Sequence, residues 1–292
     1  MTTTADHDWY REVRSSDWVV AGYFIYVGLV ATWFFQLRDP RTWEAWALAA
    51  AIVAIIQILT RFPKRGRSYT RDLAPIAYTL AAYREMDWFT PAGRAHRLEG
   101  AWIVWDRRIL DGAHLRSAIE STGTLLPGFL ELCYGLVYAV ALVSLIAIFF
   151  NLCRDRVNLF WLAYLVGTLG VYALFPYFPS EPPRTAFPDA DMPHITTAIR
   201  EFNLFIVGGY GIHSSVFPSA HVSSALSAAW GLLAAIPKRR WIGWTMFAYG
   251  IVVAIATVYG RYHYAADGLA GFAASLVALA VLRIRIATEP RG

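Results

Sequence analysis

Seven stretches of this chain are long and apolar enough to cross a bilayer: residues 18–37, 43–60, 127–150, 157–177, 218–237, 241–259 and 265–283. A helix rises about 1.5 Å per residue, so about 20 apolar residues span the hydrocarbon core. Backbone polar groups find no partner in lipid, and these continuous apolar runs therefore demand helices, whose hydrogen bonds close within each segment. Trp18, Trp33, Trp43, Trp46, Trp241 and Trp244 stand near the proposed limits, where amphipathic rings settle at headgroup level. The expected fold is all-α, a polytopic membrane helix bundle of about six or seven transmembrane helices. Composition agrees, because 57% hydrophobic and 16% charged residues lie outside the range of an ordinary soluble domain.

Two connections are too long for simple turns and divide the chain. Residues 1–60 hold a polar N-terminal segment and two spans, with no signal-peptide pattern. Residues 61–126 form a region whose stretch Leu73–Tyr83 is apolar but short for a span, and it is expected to lie on the membrane as an interfacial helix. Residues 127–292 carry the remaining five spans. Within them, residues 178–216 are rich in Pro and Gly, the composition of a loop that closes over a site.

Some functions are excluded early. The two cysteines, Cys133 and Cys153, lie near opposite ends of the third span, about 30 Å apart on a continuous helix, so they cannot pair within the chain. No Cys-x-x-Cys or Cys/His cluster suggests a metal site, and no cofactor is expected. The formal net charge of +5 sits largely beside spans, as in Arg61, Lys64, Arg65, Arg67 and Arg71, which suits a membrane surface and not a nucleic acid.

The candidate site begins with two histidines at the mouths of apolar segments, His221 in Phe217-Pro218-Ser219-Ala220-His221 and His263 in Arg261-Tyr262-His263-Tyr264. Their spacing is that of a helical hairpin through a bilayer, which returns both imidazoles to one membrane face. Asp267, four residues after His263, is placed to hold one ring nitrogen and leave the other for chemistry. Arg184 follows a stiff diproline and is suited to paired hydrogen bonds with phosphate oxygens. Ser219 stands where a helix begins, so its hydroxyl either caps the helix or joins the first-turn amides in cradling an anion. Arg261 offers a second cation, or snorkels to lipid phosphate. Cations, a hydroxyl and helix amides around a histidine pair suit phosphoryl transfer, with His263 attacking phosphorus and His221 protonating the departing oxygen.

Over residues of about 176–272 the chain resembles the type 2 phosphatidic acid phosphatase superfamily. That family's Pro-Ser-Gly-His is Pro218-Ser219-Ala220-His221 here, and its His-x-x-x-Asp is His263 to Asp267. The resemblance implies a metal-independent enzyme with His263 as nucleophile and His221 as acid. Its substrate would be a membrane lipid or isoprenoid phosphate, and its active site would face the extracytoplasmic side. The chain departs from the pattern at Tyr177, where the family has Lys, and at Thr257, where it has Arg. These departures, with the Arg261-Tyr262-His263-Tyr264 run, are similar to the branch of inositol phosphorylceramide and sphingomyelin synthases, which move a head group to an alcohol acceptor.

Other readings stay open. His221 and His263 as axial haem ligands would make a membrane electron carrier, and His263 with Asp267 as a proton relay would make a transporter. A metal-dependent hydrolase would use the two histidines and Asp267 as ligands. Glu131 inside a span requires either a structural partner or a substrate contact. His213 is expected to be a loop histidine without catalytic duty.

Overall fold

The computed structural model describes residues 13–61, 65–89, 98–188, 191–212 and 217–288. In chain order the helices are α1 (Ser15–Phe35), α2 (Pro40–Arg61), α3 (Arg65–Phe89), α4 (Glu99–Arg107), α5 (Leu115–Glu120), α6 (Leu125–Leu136) and α7 (Val140–Phe150). There follow α8 (Val157–Tyr172), α9 (Pro183–Ala186), α10 (Ala198–Tyr210), α11 (Ala220–Ala235), α12 (Arg240–Tyr259) and α13 (Ala265–Thr288), with no strand among the described residues. A 3-10 turn joins α6 and α7 into one apolar rod, Leu125–Phe150. Six stretches have the length and hydropathy to span a membrane: α1, α2, the α6–α7 rod, Arg154–Tyr177, Pro237–Tyr259 and α13.

The seventh expected span, 218–237, is α11, which has only 16 residues. Ser219 caps its start and Pro237 follows its end, a residue that cannot continue a helix. This short helix is nonetheless central, packing against α7, α8, α12 and α13. Its sequence explains why: Ser223, Ser224, Ala225, Ser227, Ala228, Ala229 and Gly231 are small, and small residues let membrane helices approach closely. Gly231 faces the Phe160 backbone of α8, Gly250 of α12 faces Leu226, and Gly271 of α13 faces the Ser219 carbonyl. Three neighbours thus close on α11 wherever a side chain is missing.

Residues 73–83 depart from the expectation of a helix lying on the surface. They belong to α3, which from Arg71 to Phe89 runs alongside α1 in the same direction. Arg71 pairs with Asp17 near the start of both helices, the Tyr23 hydroxyl meets the Ala82 carbonyl midway at 3.5 Å, and Phe89 packs on Phe34 and Phe35 at their ends. Polar residues lower the hydropathy of α3, and Arg71 and Asp72 find partners inside the bundle, whereas the Glu85 carboxyl and the Tyr78 hydroxyl are buried without a hydrogen bond. Asp72 takes Arg14 and Arg154 at 2.8 and 2.6 Å, while Tyr78, Ala82, Met86 and Phe89 bury an apolar stripe.

An exposed aromatic face is found on α10, which runs alongside α6. Arg200 and Asn203 point inward and are buried, whereas Phe202, Phe205 and Tyr210 are 62%, 72% and 70% exposed. Polar inside and aromatic outside is the arrangement of a helix whose outer face meets lipid. The 178–216 connection is accordingly helical in α9 and α10, not simply a loop. Cys133 and Cys153 are both free, as their separation requires.

The bundle has two distinct ends. One gathers Asp17, Asp72, Arg154 and Arg156, whose guanidinium reaches the Ala234 carbonyl at the end of α11. The other carries α4, α5, α9, α10 and both histidines of interest.

Close packing around α11 yields a direct test. Gly231→Leu puts its Cβ 2.9 Å from Phe160 backbone atoms, and overpacking of this kind costs about 1–3 kcal/mol. Thermal unfolding in detergent should show a clear drop for Gly231→Leu and none for Gly170→Ala, where no atom lies within 4 Å.

Candidate active site

The hairpin of α11 and α12 does bring the two histidines together. His263 Nε2 lies 3.2 Å from His221 Nδ1, and His263 Nδ1 lies 3.2 Å from Asp267 Oδ2. His221 Nε2 in turn meets the Tyr138 hydroxyl at 3.3 Å. One assignment of protons satisfies the whole row. Asp267 accepts from His263 Nδ1–H, His263 Nε2 accepts from His221 Nδ1–H, and His221 Nε2 accepts from Tyr138 O–H. Both imidazoles are then neutral, with the His263 lone pair and the His221 proton facing each other.

The loop from Gly260 to Ala265 is tied down at every residue. The Gly260 carbonyl accepts from Arg200 at 3.0 Å, the Arg261 carbonyl from the Arg184 N–H at 3.2 Å, and the Tyr262 hydroxyl donates to Glu131 at 2.7 Å. The Tyr264 N–H donates to Asp267 and the Ala265 N–H to Asp106, both at 2.9 Å. These ties matter because Arg261 has φ of 64°, a left-handed conformation costing about 1–3 kcal/mol for a residue with a side chain. Tyr134 completes the support as a slab between two rings, stacked on Tyr262 at 3.8 Å and on His221 at 5.1 Å.

The two arginines have separate settings. Arg184, half-buried on α9, lies with its guanidinium carbon 5.5 Å from the centre of the Tyr262 ring, and its charge acts on His221, Tyr134 and Tyr138. Arg261 does not snorkel outward to lipid. It is fully buried and donates to Asp106 at 2.6 Å, while its Nε and second terminal nitrogen have no partner. Burial raises the pKa of Asp106, and the Ala265 N–H and Arg261 pull it back. The Arg261 charge acts on Asp267 and Tyr264.

Ser219 is also fully buried, and its hydroxyl accepts from the Val222 N–H at 3.4 Å, so of its two candidate roles the cap is occupied. Its own N–H donates to the Asp267 carbonyl at 2.9 Å, fastening the start of α11 to the start of α13. The first-turn amides of α11 remain at the positive end of the helix beside His221.

Glu131 has structural partners: Arg200 at 2.7 Å, Asn203 at 2.8 Å and Tyr262. Its burial in a span demanded such partners, but Arg200 and Asn203, three residues apart on α10, are recognisable only once α10 is seen to turn its polar face inward. Asp106 carried no signal at all, since it meets Arg261 across 155 residues of chain. Tyr134 and Tyr138 read simply as aromatic residues of a span. His213, with residues 213–216, lies outside the described residues, as do His7 and His96. Among the described residues no cluster of three or more His, Cys, Asp or Glu is arranged to hold a metal ion.

A family model described as the PAP2 superfamily matches residues 105–281, an interval containing Asp106, Glu131, Arg184, His221, His263 and Asp267. Neither a curated protein nor a solved structure matches the chain.

Removing Arg200 would strand the Glu131 carboxylate inside the bundle, and breaking a buried pair in this way costs about 3–5 kcal/mol. Arg200→Ala is expected to lower the unfolding temperature sharply, Arg200→Lys less so. Arg108→Ala, at an exposed position, should leave it unchanged.

Proposed function

Because this chain belongs to the PAP2 superfamily, a family of membrane phosphatases and phosphotransferases, we propose that it cleaves a lipid-linked phosphoester through a phosphohistidine at His263. The observation that carries this reading is the row Asp267, His263, His221, Tyr138, which aims a lone pair and a proton at the same point. The direct contact of the two rings leaves no room for a porphyrin between them, which disfavours a haem carrier. A proton relay in a transporter gives no task to Arg184.

Phosphate binding parts the hydrogen bond between His263 Nε2 and His221 Nδ1 and sets phosphorus between the two nitrogens. His263 Nε2 attacks phosphorus, the P–N bond forms and the bond from phosphorus to the lipid oxygen breaks. Meanwhile His221, held as the imidazolium by the bound phosphate with Nε2–H donating to the Tyr138 oxygen, passes its Nδ1 proton to the departing oxygen and is left neutral. Asp267 stabilises the His263 ring as it gains positive charge. Water or an alcohol then attacks, gives its proton back to His221, and frees His263. Arg184 and the first-turn amides of α11 neutralise the phosphate oxygens during both steps. Arg261, held by Asp106, shapes the loop that carries His263. The substitutions at Tyr177 and Thr257 favour the branch that transfers to an alcohol.

His263→Ala should abolish turnover without loss of folded protein, and Asp267→Asn should lower kcat by roughly 10³–10⁴-fold, as loss of the carboxylate partner does in other histidine relays. Chelator should leave the rate unchanged. Purified protein given phospholipid and isoprenoid phosphates with a labelled alcohol separates the acceptors: inorganic phosphate means water, labelled lipid means transfer. His263-independent turnover would overturn the nucleophile assignment.

We further propose that the site faces the extracytoplasmic side. With α3 running beside α1, the basic residues Arg61, Arg71, Arg154, Arg156 and Lys238–Arg240 all fall at the end away from the histidines, and positive loops stay in the cytoplasm. An impermeant thiol reagent should label Ser121→Cys in intact cells, and Cys153 only after permeabilisation. The reverse pattern would turn the protein over.

A further inference from the structure

A cavity of about 310 Å³ runs from His221 into the bundle between α3, α7, α8, α10 and α11. This is at the low end of ligand pockets, which span about 300–1,000 Å³. Its rim carries Arg84 and Tyr172, and eight residues deeper on the same helices lie Ile76 and Tyr164, a descent of about 12 Å. Ala141 of α7 closes the floor with them.

The walls turn carbon inward. The Thr79 hydroxyl donates to the Pro75 carbonyl at 2.8 Å, the Ser224 hydroxyl to the His221 carbonyl at 3.2 Å, and the Tyr83 hydroxyl accepts from the Ile212 N–H at 2.9 Å. Thr168 Oγ1 remains as an unpaired polar point. On the outer side, Leu80 and Tyr138 are 61% and 58% exposed, so the cavity is bordered by residues that face lipid.

We propose that this cavity encloses the end of one hydrocarbon tail of the substrate, entering between Leu80 and Tyr138, and that Ile76, Ala141 and Tyr164 set the enclosed length. A descent of about 12 Å takes on the order of ten methylenes in extended file. The substrate class is therefore a phosphate monoester or diester on a tail of about ten carbons or more. The assignment of the phosphate to the histidine pair rests on the function proposed above, whereas the tail site stands on the cavity itself.

The test compares butyl and decyl phosphate as substrates, and butyl- and decylphosphonate as ligands that cannot be hydrolysed, at equal surface fraction in detergent micelles. Wild-type protein should favour the decyl compounds in both kcat/KM and binding. Ala141→Phe fills the floor and should reduce that preference by at least about tenfold. Ile76→Ala, which deepens the floor, should shift the preference towards dodecyl compounds, and it decides the matter if Ala141→Phe fails to fold. Equal binding of butyl- and decylphosphonate by wild-type protein, or a preference that neither variant moves, would overturn the tail site. Tail-dependent phosphonate binding without any turnover would instead leave the cavity assignment intact and sink the phosphohistidine reading.

Discussion

A polar loop held at the mouth of an apolar bundle is stable only if every buried charge finds a partner, and that constraint shapes the end of the molecule bearing the histidines. Arg261 with Asp106, and Arg200 with Glu131, are two of the pairs that meet it among the described residues. Each pair does more than neutralise itself. Asp106 also takes the first amide of α13, Arg200 also takes the Gly260 carbonyl, and Glu131 also takes the Tyr262 hydroxyl. The loop between α12 and α13 is thereby gripped from α4 on one side and from α6 and α10 on the other. Such pairs add little net stability relative to an apolar core, so their contribution is geometric: they hold His263 where Asp267 and His221 can share its two nitrogens.

Beneath the loop, the same need for short distances is met by leaving side chains out. The central helix α11 is built of Ser, Ala and Gly, and its neighbours place glycines where they cross it. Close crossing brings α13 against the start of α11, so that the Ser219 N–H reaches the Asp267 carbonyl. Packing in the bundle and alignment in the site are thus one problem. A larger residue at these crossings would separate His221 from His263 as well as loosen the core.

The helices that surround this centre invert the usual rule for amphipathic segments. On α10 Arg200 and Asn203 face in and Phe202, Phe205 and Tyr210 face out, and on α3 Arg71 and Asp72 sit in internal pairs. Hydropathy along the chain registers only the average of a segment. It therefore described α3 as too polar to join the bundle and gave no hint of which way α10 would turn. The partner of Asp72, of Glu131 or of Arg261 lies dozens of residues away, and no local pattern announces it.

Periodicity and length alone established the class of fold, because a run of about 20 apolar residues has few alternatives to a membrane helix. They also established the meeting of His221 with His263, since a hairpin of fixed rise must return to its starting face. The placement of Asp267 followed from a four-residue spacing that is nearly independent of context. Tertiary structure decided what depends on contacts between distant segments: α3 inside the bundle and α10 on its surface, Arg261 paired with Asp106 instead of snorkelling to lipid, and Tyr138 at the end of the histidine row. Local geometry is written in the order of residues, whereas the matching of buried charges is a property of the assembled bundle, where burial first makes an unpaired group too costly to keep.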